Sequence, residues 1–216
     1  SKGEVPLLGV VMSPFSFPVM QMGFDRYLDL IHERPDLLER LLRLNETFCV
    51  EWANAQLDAG ATAICYFDPV SSPTIIESAL YRRYGLPLSK RTIAQFKGPA
   101  AIHFASGREL PIVDDVKGSG ALAMSASNLE DLSEMKAACT GKIAVVGNLN
   151  ALEMRKWNEK EAEEKVREAI RKAAPGGGFI LSDNHGEIPY QVPDDVLLAA
   201  ADAVEKWGQY PLRAAV

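Results

Sequence analysis

No apolar run in these 216 residues approaches the roughly 20 that cross a bilayer, which argues against a membrane-spanning helix. Basic residues are outnumbered, 23 to 29, and the net charge of -6 argues against nucleic acid or an anionic membrane surface as the main partner. Cysteine is scarce: Cys49, Cys65 and Cys139 are odd in number, widely spaced and set among apolar neighbours. They read as reduced core thiols of a cytoplasmic protein rather than as ligands. The opening Ser1-Lys2-Gly3-Glu4 lacks the apolar segment of a signal peptide. Low-complexity stretches and clear linkers are missing too. Pro175-Gly176-Gly177-Gly178 is glycine-rich but leads into a strand, whereas a phosphate loop leads into a helix.

What is present is a core. At 47% hydrophobic the chain can bury a sizeable interior, and one domain is expected. Pro6–Met12 reads as a buried strand, and helices follow from Phe24 to Glu33 and from Pro35 to about Asp58. Strands to Phe67, Ile102, Met124, Val146 and Leu181 alternate with helical stretches. These are Ile75–Tyr84, Pro87–Phe96, Leu129–Ala138, Glu159–Ala173 and Asp194–Trp207, and Gly85 is expected to separate the first two. Repeated strand–helix alternation argues for an α/β fold with a parallel sheet. A closed barrel of this kind needs eight strands and about 250 residues. Six strands therefore leave either an open doubly wound sheet or a barrel whose first two units lie outside this chain. The immediate opening on a strand favours the barrel.

Five of the strands stop at a polar residue: Asp68, His103, Ser125, the pair Gly147-Asn148, and the run Ser182-Asp183-Asn184-His185. In a parallel barrel the carboxyl ends of the strands share one rim, where active sites are built. Each position also has a plainer reading. His103 can be a core histidine bonded to a carbonyl, Asp68 a loop cap held extended by Pro69, and Asn148 a residue accepting a left-handed backbone. His185 lies in a polar loop with Asp183, Asn184 and Glu187 and is the stronger candidate. Met12, Phe15, Phe17, Met20 and Met22 follow the first strand and suit either core or the wall of a pocket for an aromatic ligand or a corrin face. His32 reads as a surface residue, and Trp52, Trp157 and Trp207 as helix packing.

Several phrases carry a resemblance. They are Met12-Ser13-Pro14-Phe15-Ser16-Phe17 with Asp25-Arg26-Tyr27-Leu28, and Ala59-Gly60-Ala61-Thr62-Ala63-Ile64 leading to Phe67-Asp68-Pro69. His103-Phe104-Ala105-Ser106-Gly107, Gly147-Asn148-Leu149-Asn150 and Asn184-His185-Gly186 complete the set. Together they resemble the uroporphyrinogen decarboxylase superfamily, whose members are (β/α)8 barrels. The resemblance covers essentially the whole chain but about the C-terminal two-thirds of a family member. It implies a TIM-barrel type fold, present as roughly the C-terminal six β/α units, with 1–216 as one barrel domain lacking the family's N-terminal third. The family's catalytic aspartate and substrate-binding arginines have no counterpart here, and a piece of a longer enzyme is expected.

The superfamily holds cofactor-free tetrapyrrole decarboxylases and corrinoid-dependent methyltransferases. Asp68-Pro69-Val70-Ser71-Ser72-Pro73 is similar to the methyltransferase branch. Thiol-activating members of that branch bind zinc through a His-x-Cys pair and a further Cys. Here His103 matches, but Ala105 and His185 stand where the cysteines would be, so thiol methylation is not expected. The resemblance implies His185, Asp68 and His103 as catalytic residues, and Asn148, Phe15, Met12, Ser125 and Asp183 as substrate contacts. Two forms of chemistry stay open. One is a zinc site on His103, His185 and Glu187; the other is metal-free acid catalysis on a departing phenolate or amine.

The implied function is removal of a methyl group from a methoxyarene-like donor, as in an O-demethylase system. The methyl passes to cobalamin on a partner corrinoid protein, since no Asp-x-His-x-x-Gly motif occurs here. The alternatives are uroporphyrinogen decarboxylation, which needs no cofactor, and a non-catalytic barrel fragment or subunit. Unpaired sheet edges in the last case call for a partner or a homo-oligomer.

Overall fold

The computed structural model describes residues 3–212; Ser1 and Lys2 of the opening tetrapeptide lie outside them. Six parallel strands alternate with helices, and the chain divides into two compact units, Ser1–Met124 and Ser125–Val216.

In the first unit β1 (Leu8–Met12) precedes α1 (Phe17–Met22), α2 (Phe24–Glu33) and α3 (Pro35–Asp58). Pro18 and Pro35 sit in the first turns of α1 and α3, where a missing N–H costs nothing. Strand β2 (Ala63–Phe67) then leads through α4 (Ser78–Leu80), a π-helical turn (Tyr81–Gly85) and α5 (Leu86–Ile93) to β3 (Ala100–His103). Helix α6 (Val113–Val116) precedes β4 (Ala123–Ser125). The register Met12↔Phe67 and Phe67↔His103 brings Ser13, Asp68 and Phe104 to the same end of neighbouring strands. Tyr27, Tyr66, Tyr81, Phe15, Leu38, Ile64, Leu88 and Ile102 fill the core.

The second unit holds α7 (Leu132–Cys139), β5 (Ala144–Leu149), α8 (Ala151–Met154), α9 (Glu159–Ala173), β6 (Phe179–Asp183) and α10 (Asp194–Trp207). The pair β5–β6 is in register Asn148↔Ser182 and Leu149↔Asp183. Leu149, Val166, Ile170, Ala174 and Ala203 form one core cluster, with Trp207 of α10 packed on it as expected; Trp157 packs on it too, but from the connection between α8 and α9 rather than from a helix. Asn158 starts α9 with a capping box to Glu161.

Three elements depart from the sequence pattern. Gly85 does not separate two helices: it adopts helical angles inside a continuous run, and its missing side chain lets the π turn approach Ser71 and Tyr81. Strand β5 continues to Leu149 because Gly147, at φ 141°, passes close to Ala126, whose carbonyl oxygen lies 2.9 Å from where a Cβ would stand. Trp52 is half exposed rather than packed.

Candidate active site

Side chains alternate along β2. Ile64, Tyr66 and Asp68 share one side, where the Tyr66 ring meets Phe96; Phe67 points to the other and lies against His103, ring centroids 5.5 Å apart. This alternation separates two residues that the strand-end pattern groups together.

Asp68 is 1% exposed. It accepts hydrogen bonds from Ser13 Oγ at 2.5 Å and Ser16 Oγ at 2.6 Å. The same hydroxyls accept from backbone N–H groups, Ser13 Oγ from Ser16 and Ser16 Oγ from Val70. Burial pushes the Asp68 carboxyl above its usual range, and the serine hydroxyls pull against that shift. Asp68 therefore ties the segment after β1 to the segment after β2. Phe15 is wholly buried, edge-on to Tyr27, whose hydroxyl donates to the Phe15 carbonyl at 2.6 Å. Its ring is core rather than an open pocket wall, while Met12 stays half-buried at the end of β1.

His103 is 8% exposed, and its Nδ1 accepts from the Ala105 N–H at 3.0 Å. That bond assigns the proton of the neutral ring to Nε2. Ala105 reaches the position with a left-handed φ of 54°. Gly107 is demanded by the same loop: a Cβ there would lie 2.5 Å from Ser72 Cβ, and Ser72 Oγ donates to the Arg108 carbonyl.

In the second unit Asp183 ends β6 and spends Oδ2 on the N–H groups of His185 and Gly186, both at 2.8 Å. It shapes the loop that presents His185. Asn184 is fully buried; its Nδ2 donates to Asn128 Oδ1 at 2.8 Å, and its Oδ1 has no hydrogen-bond partner. His185 is half-buried, with Nδ1 enclosed and likewise without a partner. Asn148 donates from Nδ2 to the Ser127 carbonyl at 3.0 Å. Asn128, Asn148 and Asn150 line a cleft of about 370 Å³ with Glu153, Trp157 and Lys172. Ser125 is buried at the end of β4, and Glu187 is exposed.

Among the described residues no three His, Cys, Asp or Glu side chains are grouped to hold a metal ion. None of the three cysteines forms a disulfide, and Cys49 and Cys139 are buried while Cys65 is half-buried; burial pushes the Cys49 thiol up to about 12 and the Cys65 thiol to about 11, which keeps both protonated and inert at neutral pH. Sequence reasoning did not single out Ser13, Ser16, Asn128 or Asn184. Ser13 and Ser16 stood inside a quoted motif, and Asn184 in a polar strand end. Asn128 had no signal, because its role depends on a contact 56 residues away.

A family model described as uroporphyrinogen decarboxylase (URO-D) matches residues 1–207. The uroporphyrinogen decarboxylase of Aromatoleum aromaticum is 28% identical over 90% of this chain and 57% of its own length. That of Methylibium petroleiphilum is 28% identical over 96% of this chain and 58% of its own. Among solved structures, a methyltransferase from Methanosarcina mazei superposes with a TM-score of 0.85 at 20% identity, covering 95% of this chain and 60% of that one. The chain thus spans less than two-thirds of the length of these relatives. No described helix is long and apolar enough to cross a membrane. With the family model running through Asp68, His103, Asn148 and His185, the chain belongs to the uroporphyrinogen decarboxylase family.

Proposed function

We propose that this chain is part of a methyltransferase that takes a methyl group from a small, methoxyarene-like donor and passes it to a corrinoid on a partner protein. The observation that carries the reading is what the strand ends of the second unit present: the imidazole of His185, in a loop shaped by Asp183, and the amides of Asn128, Asn148 and Asn184. A tetrapyrrole with several carboxylates calls for guanidinium groups, and five of the arginines here are engaged elsewhere, while Arg108 lies in the loop that follows β3. Arg34, Arg82 and Arg91 pair with Asp36, Asp115 and Glu46. Arg83 and Arg167 lie over the rings of Tyr84 and Trp207. The structural neighbour, itself named a methyltransferase, points the same way. The decarboxylase names of the curated relatives make cofactor-free decarboxylation the second reading.

The corrinoid, when its carrier is docked, supplies the nucleophile that takes the methyl carbon. As the bond from that carbon to the donor's oxygen or nitrogen breaks, its electron pair stays on the heteroatom, which then needs a proton. His185 delivers it: its loop is fixed by Asp183, whose Oδ2 accepts from the N–H groups of His185 and Gly186.

The test uses the longest polypeptide that the gene encodes, mixed with a reduced corrinoid and a panel of methoxyarenes and methylamines. Methyl transfer is read from the visible spectrum of the corrinoid. A silent spectrum, with carbon dioxide released from uroporphyrinogen, would establish the second reading.

A further inference from the structure

The loop that presents His185 is held in two ways. Within itself, Asp183 Oδ2 accepts from the His185 and Gly186 N–H groups, both at 2.8 Å, and Gly186 turns with φ 83°. That turn sets the shape of the loop, but it travels with the loop and does not set its place. The second hold comes from another strand end. Asn184, 0% exposed, donates from Nδ2 to Asn128 Oδ1 at 2.8 Å, across 56 residues of chain. Asn128 belongs to the segment that follows β4, and that segment is itself anchored. The Ala126 N–H donates to the Val146 carbonyl at 2.8 Å, and Asn148 Nδ2 to the Ser127 carbonyl at 3.0 Å. Asp131 closes the segment: it caps α7 through the Ser133 and Glu134 N–H groups and accepts from Lys172 of α9 at 3.1 Å.

A proton donor must meet the leaving atom within hydrogen-bond reach, and a displacement of about 1 Å can cost about a hundredfold in rate. Asn184 and His185 are consecutive, so a bond that fixes the Asn184 side chain also fixes the backbone from which the His185 ring emerges. We infer that Asn128 is a positioning residue for His185, setting the place of its loop through the buried amide of Asn184. The inference rests on the reading of His185 as the proton donor. Asn128 is half-buried and also lines the cleft of about 370 Å³. Shortening its side chain therefore admits solvent instead of leaving a void, and variants at this position are expected to fold.

The experiment uses the longest polypeptide that the gene encodes, in methyl transfer from a methoxyarene to a reduced corrinoid. Asn128→Ala removes the acceptor, whereas Asn128→Asp keeps an oxygen in its place. Asn128→Ala is expected to lower kcat by about 10–100-fold while the donor KM stays within about twofold. Amide hydrogen exchange at His185 and Gly186 is expected to quicken in the same variant. Asn128→Asp is expected to restore both readouts. In a His185→Gln background Asn128→Ala is expected to cost little more, because a residue that acts through another then has nothing left to position. Unchanged exchange in Asn128→Ala, no restoration by Asn128→Asp, or a full further loss on top of His185→Gln overturns the inference. His185→Gln with parental activity sinks the proton-donor reading by itself; loop exchange then decides alone whether Asn128 sets the place of the loop.

Discussion

Asp68 is a buried carboxylate held by serine hydroxyls, and its titration is its most testable property. Burial raises its pKa, so over the interval between the unfolded and folded values the native state binds a proton that the unfolded chain has released. Its contribution to stability therefore falls as pH rises through that interval, by at most about 1.4 kcal/mol per pH unit. Asp68→Asn removes the charge and keeps an Oδ1 acceptor for both serines. The variant is expected to be more stable than the parent chain above the raised pKa, and the difference should shrink on acidification. Urea midpoints of both proteins across that range measure it; an Asn variant less stable at every pH contradicts the account. The polar strand ends were legible as residues, but their roles were not. A run of letters locates Asp68 and His103 equally well at strand ends, while the pleat sends them to opposite sides of the sheet.

At the scale of elements, helix boundaries were legible where local chemistry sets them. Pro35 opens α3, Asn158 and Glu161 open α9, and both helices end where the pattern places them. The extension of β5 was not legible, because Gly147 is required by a contact with Ala126 across the fold. Gly147→Ala forces a side chain onto φ 141° and against a carbonyl oxygen. A loss of about 1–3 kcal/mol in unfolding free energy is expected, checked by chemical denaturation. A loss below ~0.5 kcal/mol would show that the contact yields easily. The exposed side of β1 supplies another test. Gln56 on α3 donates to the Val10 carbonyl and accepts from the Val10 N–H, covering part of that backbone. Gln56→Leu uncovers both groups, beside the exposed side chains of Leu8 and Val10. Self-association measured by sedimentation is expected to rise; an unchanged distribution would mean that the amide protects nothing.

For the whole molecule, the parallel α/β architecture was legible from alternation alone, and the family from a handful of motifs. The chemistry is less so, since the same family fold carries relatives named decarboxylases and a neighbour named a methyltransferase. The choice between them rests on the imidazole and amide groups that this chain presents at its strand ends. The most direct measurement compares the full-length protein with its His185→Gln variant in methyl transfer from a methoxyarene to a reduced corrinoid. The account predicts that kcat falls by about 10²–10⁴-fold in the variant while donor affinity changes little. Equal rates in the two proteins, or uroporphyrinogen as the only substrate turned over, would contradict it.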